Sequence, residues 1–174
     1  MCCLLVFNVL GCEDRTSVPV SETQNYENNP AAEENAAVHI YFADRENSYL
    51  KAESKRVSRQ GIDRNELGAL IVEKLIDGPQ KVLMPTIPAG TRLRAFYTTR
   101  DGTAFVDLSK EVRENHPGGA RSELMTIYSI VNSVILNIPE IDSVKILVDG
   151  REETTLAGHI DLRFPFKANM LLIR

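Results

Sequence analysis

Apolar and polar positions change rhythm several times along the chain. In Val38–Phe42 they alternate, with Val38, Ile40 and Phe42 on one face and His39 on the other. That period of two predicts a half-buried strand. Ser48–Glu53 predicts a short second strand, and Ser54–Gln60, carrying Lys55, Arg56 and Arg59, reads as a solvated edge. From Asp63 the spacing turns helical. Leu67, Leu70, Ile71 and Leu75 form one stripe, widened by Val72 and Ile76, and predict a helix over Asp63–Asp77. Asp63 with Glu66 three residues on makes a capping box, and Gly78-Pro79 ends the helix. A second helix is predicted over Ser122–Ile138, with Ser122 as N-cap and a broad apolar side of Leu124, Ile127, Tyr128, Val131, Val134 and Ile135. Pro139 marks its end.

Between the helices lies Arg92–Ser109. Asp101-Gly102 suits a two-residue type I′ turn, which would pair Thr99 with Ala104, Tyr97 with Val106 and Ala95 with Leu108. A further strand is predicted over Ser143–Asp149. Glu152–Leu162 is irregular, and the apolar end Met170–Ile173 is expected to pack back on the domain. The expected fold class is α+β, a mixed or antiparallel sheet with a central β-hairpin packed against two helices.

The first residues follow another pattern. Met1–Leu10 is apolar apart from Asn8, and Val9-Leu10-Gly11-Cys12 resembles the lipobox of bacterial lipoproteins, in which the cysteine is acylated. No Lys or Arg precedes the run. Either the natural start lies upstream, or Cys12 is an ordinary thiol after an apolar N-terminus. Residues 13–37 are rich in Glu, Asn, Ser, Thr, Pro and Ala and cannot bury enough apolar surface to offset the entropy of ordering. The expected organisation is a lipoprotein signal remnant over 1–12, a disordered polar tether over 13–37 and one domain over 38–174.

Composition narrows the function classes. A net charge of −4 disfavours nucleic acid as partner. Cys2, Cys3 and Cys12 are the only cysteines, so the domain has no disulfide framework, cysteine zinc site or cysteine nucleophile. The most suggestive polar cluster is His159 with Asp161, which would share a strand face and could bind a metal or orient a base, with His116 as a conceivable third ligand. A local His–Asp hydrogen bond, or a turn held by Asp161, explains the pair more simply. Gly118-Gly119 lacks the Lys-Ser/Thr of a P-loop and reads as a loop. Asp107, expected opposite Phe96, and Ser109 sit in no nucleophile elbow. No catalytic residues and no cofactor are assigned.

The order of several segments is informative: Val38-His-Ile-Tyr-Phe, Leu75-Ile-Asp-Gly-Pro, Pro88-Ala-Gly-Thr, Phe105-Val-Asp-Leu-Ser, Tyr128-Ser-Ile-Val-Asn-Ser-Val, Val144-Lys-Ile-Leu-Val-Asp-Gly and Thr155-Leu-Ala-Gly-His-Ile-Asp. Together they resemble the Germane (GerMN) domain of bacterial envelope proteins, tied to sporulation and spore germination. The resemblance covers about Val38–Phe166. It implies an α+β domain similar to the ring-building folds of sporulation channel proteins, with no enzymatic activity and no cofactor. It also implies a lipoprotein habit, in agreement with Cys12. Members named for germination carry two such domains in tandem; one is visible here. The expectation is a non-catalytic module of the cell envelope, lipid-anchored on the non-cytoplasmic side of a bacterial membrane. Its partners would be other envelope proteins, including copies of itself. The alternatives are a cell-wall-binding module, which the absence of Trp disfavours, and a metal-dependent hydrolase using His159 and Asp161.

Overall fold

A computed structural model describes residues 35–59 and 61–174. Cys12, the signal remnant and nearly all of the expected tether lie outside the described residues. The order is β1 (Asn35–Ala43), β2 (Leu50–Ser58), α1 (Arg64–Ile76), β3 (Leu93–Thr98), β4 (Thr103–Leu108), the single turn α2 (Glu111–Glu114), α3 (Ala120–Ile135), β5 (Ser143–Val148) and a 3₁₀ turn at Met170–Leu172. β1 and β2 form a two-stranded antiparallel sheet. The other sheet has the order β3-β4-β5, with β3 antiparallel and β5 parallel to the central β4. A parallel neighbour requires a crossover, and α2 and α3 supply it.

Both sheets share one core. Val38, Ile40 and Phe42 of β1 meet Ile71 and Leu75 of α1, Val106 of β4, Ile130 and Val134 of α3, and Ile146 of β5. The β1 alternation is therefore as the sequence predicts, although the strand begins at Asn35 rather than Val38. β2 runs to Ser58, so the expected basic edge continues the strand; its Lys55 is buried.

The α1 prediction holds closely. Asp63 Oδ1 accepts hydrogen bonds from Asn65 N and Glu66 N, and Glu66 Oε2 accepts one from Asp63 N at 2.8 Å. Gly68 lies in the buried stripe, and a Cβ there would overlap the Phe96 ring of β3. α3 starts earlier than predicted. Gly119 is its N-cap, with φ +84°, and Ser122 lies inside the first turn, where its Oγ accepts from Asn47 Nδ2 at 3.4 Å. Gly118 and Gly119 both take positive φ, so the chain turns into the helix immediately before Ala120.

The β3–β4 register differs from the prediction by one residue. Thr98 pairs with Ala104, Tyr97 with Phe105, Phe96 with Val106, and Ala95, not Phe96, with Asp107. The loop has three residues, with Gly102 at φ +81°, Gly102 N bonded to Thr99 O and Thr99 N to Thr103 O. This is a type I turn followed by a left-handed residue, which the same Asp-Gly pair serves as well as a type I′ turn. Slipping by one exchanges the faces. Phe96 goes to the core, while Tyr97 stands outside and stacks on Phe105, with ring centroids 4.9 Å apart.

The C-terminal segment packs back in part; Met170 and Leu171 of the expected apolar end stand exposed instead. Phe166 exchanges two 2.8 Å backbone bonds with Val144 of β5, Ile173 bridges Leu50 of β2, and Arg174 N donates to Leu50 O.

Candidate functional site

The residues from which chemistry could be expected do not converge. His159 and Asp161 lie in a loop, not on a strand. Asp161 grips Arg163: its oxygens accept from the Arg163 backbone N–H and from the guanidinium, at 2.8–3.2 Å. That guanidinium holds the Asp161 carboxyl down at about 2. His159 instead turns to Glu123, with Nδ1 3.2 Å from Oε2. The local His–Asp bond is not made. Among the described residues, no group of three or more His, Cys, Asp and Glu could hold a metal ion.

His116 is occupied on both nitrogens. Gly118 N donates to Nδ1 at 3.0 Å, and Nε2 lies 3.2 Å from Thr126 Oγ1. Thr126 Oγ1 donates its own proton to Thr86 O, so it accepts from Nε2–H, and the ring is neutral. Burial lowers the His116 pKa, against the opposing pull of the Glu123 charge. Ser109 Oγ accepts from Arg92 N, and Asp107 accepts from Gly150 N while pairing with Arg94 at 3.3 Å. These two residues fasten strand ends.

The group that sequence reasoning missed is Glu123. In the first turn of α3, it is fully buried. Its Oε1 accepts from Leu156 N and Ala157 N, and its Oε2 from His159 N, each at 2.9 Å. Burial by itself pushes this carboxyl up; the backbone N–H groups of Ala157, His159, Leu156 and Ile160 outweigh burial and hold it below the ordinary Glu value. Glu123 thus ties the 155–160 loop to α3. A signal was present, since Glu123 falls in helical phase with the buried Ile127, Ile130 and Val134.

The same design recurs. Burial raises Glu53, yet the backbone N–H groups of Gln80 and Lys81, with Lys55, bring its carboxyl below normal. Lys55 Nζ donates to Gly78 O at 2.8 Å, and Lys145 Nζ to Arg163 O and Leu162 O. Each buried charge is used to hold backbone from a neighbouring segment.

Sheet edges are treated unequally. The edge of β1 away from β2 is filled by side chains of α3 and the turn after it: Asn137 Oδ1 accepts from His39 N, Asn137 Nδ2 donates to His39 O, and Ser133 Oγ accepts from Tyr41 N. The far edge of β5 receives Phe166. On β3, the ladder to β4 alternates, so the N–H and C=O groups of Phe96 and Thr98 point away from it. Among the described residues, nothing hydrogen-bonds to those groups. Beside them stand Arg94 and Tyr97, both exposed. This edge is the candidate functional surface.

Comparison with solved structures agrees with that architecture. The chain is similar to a candidate lipoprotein from Clostridium perfringens, at 28% identity and TM-score 0.54, over 76% of this chain and 87% of that one. It shares the fold of the first GerMN domain of the sporulation protein GerM from Bacillus subtilis, at 16% identity and TM-score 0.58, covering 97% of that domain. Against the tandem GerMN domains of the same protein the values are 18% and 0.58, and the chain spans 46% of the pair's length. Comparison with curated protein sequences gives no match. Residues 39–154, more than half of the chain, match the family described as Germane, sporulation and spore germination. The α+β arrangement, the segment order and this match place the protein in the Germane family.

Proposed function

We propose that this protein is a non-catalytic module of the bacterial cell envelope, anchored by acylation of Cys12 and working through protein–protein contact. The observation that carries the contact is the open outer edge of β3. An unpaired edge offers a row of donors and acceptors to a partner strand, and natural proteins usually cover or blunt such edges. Here β1 is covered, β5 is met at Val144 and β2 at Leu50 though open beyond it, while the outward groups of Phe96 and Thr98 on β3 receive no such bond among the described residues. The buried charged groups point the same way, because Glu123, Glu53, Lys55 and Lys145 are spent on holding backbone. Support for the anchor comes from the Leu10-Gly11-Cys12 sequence and from the similarity to a candidate lipoprotein.

Two measurements test the proposal separately. Intact mass of the protein purified from bacterial membranes should show acyl chains on Cys12, and Cys12→Ser should move the protein to the soluble fraction. An unmodified Cys12 in membrane-purified protein would sink the anchor. For the contact, a photo-crosslinking residue is placed at Tyr97 and, as control, at the still more accessible Val82. Discrete adducts from Tyr97 and none from Val82 are expected in intact cells. Equal or absent labelling at the two positions would remove β3 as the contact edge.

A further inference from the structure

Four large apolar side chains stand exposed on or next to the C-terminal segment that crosses α3: Leu136, Phe164, Met170 and, at 87% exposure, Leu171. The last three lie on the C-terminal strap, residues 163–174. The strap is fixed along its inner side. Phe166 bonds to Val144 and sets its ring edge-on to Tyr128 of α3, 5.9 Å between centroids. Asn132 of α3 exchanges two hydrogen bonds with the backbone of Asn169, at 2.9 and 3.1 Å. Ile173 and Arg174 reach β2. Tyr128, Asn132 and Leu136 are spaced four apart, so Leu136 continues the helix row the strap lies on. The exposed side chains are therefore carried outward on a fixed support.

Charge separates this strap from the rest of the chain. Leu162–Arg174 contains Arg163, Lys167 and Arg174 and no acidic residue, in a chain of net charge −4. Arg163 is engaged by Asp161. Arg174 stacks over the Tyr49 ring at 4.0 Å. Lys167 makes no ion pair among the described residues.

We propose that the outer side of this strap docks on an anionic lipid bilayer. Apolar tips flanked by cations match the two layers of such a surface: Phe164, Met170 and Leu171 would enter the acyl boundary, and Lys167 and Arg174 would meet the phosphates. A second copy fits less well, since a two-fold contact sets the same three cations against each other. The inference stands apart from acylation of Cys12. With an acyl anchor in place, the strap would supply the second membrane signal that makes attachment stable and would lay the domain against the bilayer.

The test uses the full chain carrying Cys12→Ser, so that no acyl chain contributes. The protein is sedimented with vesicles of phosphatidylglycerol and phosphatidylcholine, and with vesicles of phosphatidylcholine alone. Binding should favour the anionic vesicles and weaken as salt is raised. Phe164→Ser with Leu171→Ser should lower it by about tenfold or more. Lys167→Gln should lower it by about fivefold, the value of one cation at an anionic surface. Any contribution of Met1–Leu10 is common to all variants and cancels. These side chains are exposed, and unchanged circular dichroism confirms folding. Equal binding to both vesicle types, or binding indifferent to all three substitutions, overturns the proposal. So does loss of a dimer in sedimentation velocity with vesicle binding unchanged, which would make the strap a contact between copies.

Discussion

The two hairpins of this domain are stabilised in opposite ways. β3–β4 carries its instructions locally: Asp101-Gly102 makes the turn, Thr99 and Thr103 both hydrogen-bond Asp101, and the strands follow. Its outer edge is then left open. β1–β2 has no Asn-Gly or Asp-Gly turn. Its loop is held by Asp44, which accepts from Ser48 N at 2.7 Å and from Tyr49 N, with Asn47 at φ +51°. Its β1 edge is covered from far along the chain, by Ser133 and Asn137, while its β2 edge is met only at Leu50, by Ile173 and Arg174. The hairpin that needs little help leaves its β3 edge free to engage a partner. The hairpin without a strong turn depends on the rest of the fold.

Asn137→Ala should be the most damaging way to test that dependence. It leaves His39 N and O without partners on a part-buried edge and empties a third, buried bond, to Ser133 O. Unsatisfied buried groups cost roughly 1–3 kcal/mol each, so a loss of about 3 kcal/mol is expected in urea unfolding. Amide exchange should rise first in β1. A loss below about 0.5 kcal/mol would mean that the sheet does not rely on α3 for its edge.

Gly102→Ala applies the same pressure to the other hairpin. The left-handed φ costs about 1 kcal/mol for a residue with a Cβ, and that Cβ would lie 2.7 Å from Asp142 Oδ2 and 3.2 Å from Glu140 O. A total near 2 kcal/mol is expected, smaller than for Asn137 because Asp142 can swing away. The loss should stay within β3, β4 and the start of β5, where Asp142 N and Ser143 N bond to Gly102 O. Spread of exchange into β1 would show that the two hairpins are not independently secured.

These contrasts explain what could be read from the chain. The helices were legible because periodicity and the Asp63–Glu66 box are local. The β3–β4 hairpin was legible as an element, but its register was not, since Asp-Gly fits both a two-residue and a three-residue loop. The coverage of β1 was hidden. Ser133 and Asn137 look like the wet side of a helix until a strand edge is brought to them. Glu123 was hidden for a related reason, because its backbone partners lie more than thirty residues away. His159 and Asp161, two apart in sequence, go to different partners, so nearness along the chain was a poor guide to chemistry. The edge of β3 could be recognised only once its neighbours were known.

A smaller effect is expected at the seam between the hairpins. Met84 N donates to Ala43 O of the first hairpin, and two residues later Thr86 O takes the Thr126 proton that His116 supports. The folded-state pKa of His116 lies below the ordinary 6.5. The unfolded chain therefore takes up the proton first, so the stability His116 contributes is full above about pH 6.5 and is lost as pH falls through its folded value. Glu123 and Glu53, both held below 4.5, add a second loss only at lower pH. Urea unfolding at successive pH values should show the first decline in the wild type and not in His116→Asn. Identical profiles for the two proteins would place the decline elsewhere.

The smallest expected change, at Tyr97, bears most directly on function. Tyr97 and Phe105 stack at 5° between ring planes on the outer face of the β3–β4 hairpin. An aromatic pair of this kind contributes about 0.5–1.5 kcal/mol beyond its burial, and Tyr97 is 43% exposed, so Tyr97→Ser should cost about 1 kcal/mol or less. Register should survive, because Phe96, Val106 and the Gly102 turn still hold it. If the bare edge of β3 serves only the fold, that modest loss is the whole consequence. If it serves a partner, Tyr97→Ser should leave the isolated protein folded and reduce crosslinking from a probe at Arg94 in cells severalfold, since aromatic anchors at an interface carry a disproportionate share of binding. A folded variant with undiminished crosslinking would separate the stacked pair from the contact and leave the partner held by the β3 backbone alone.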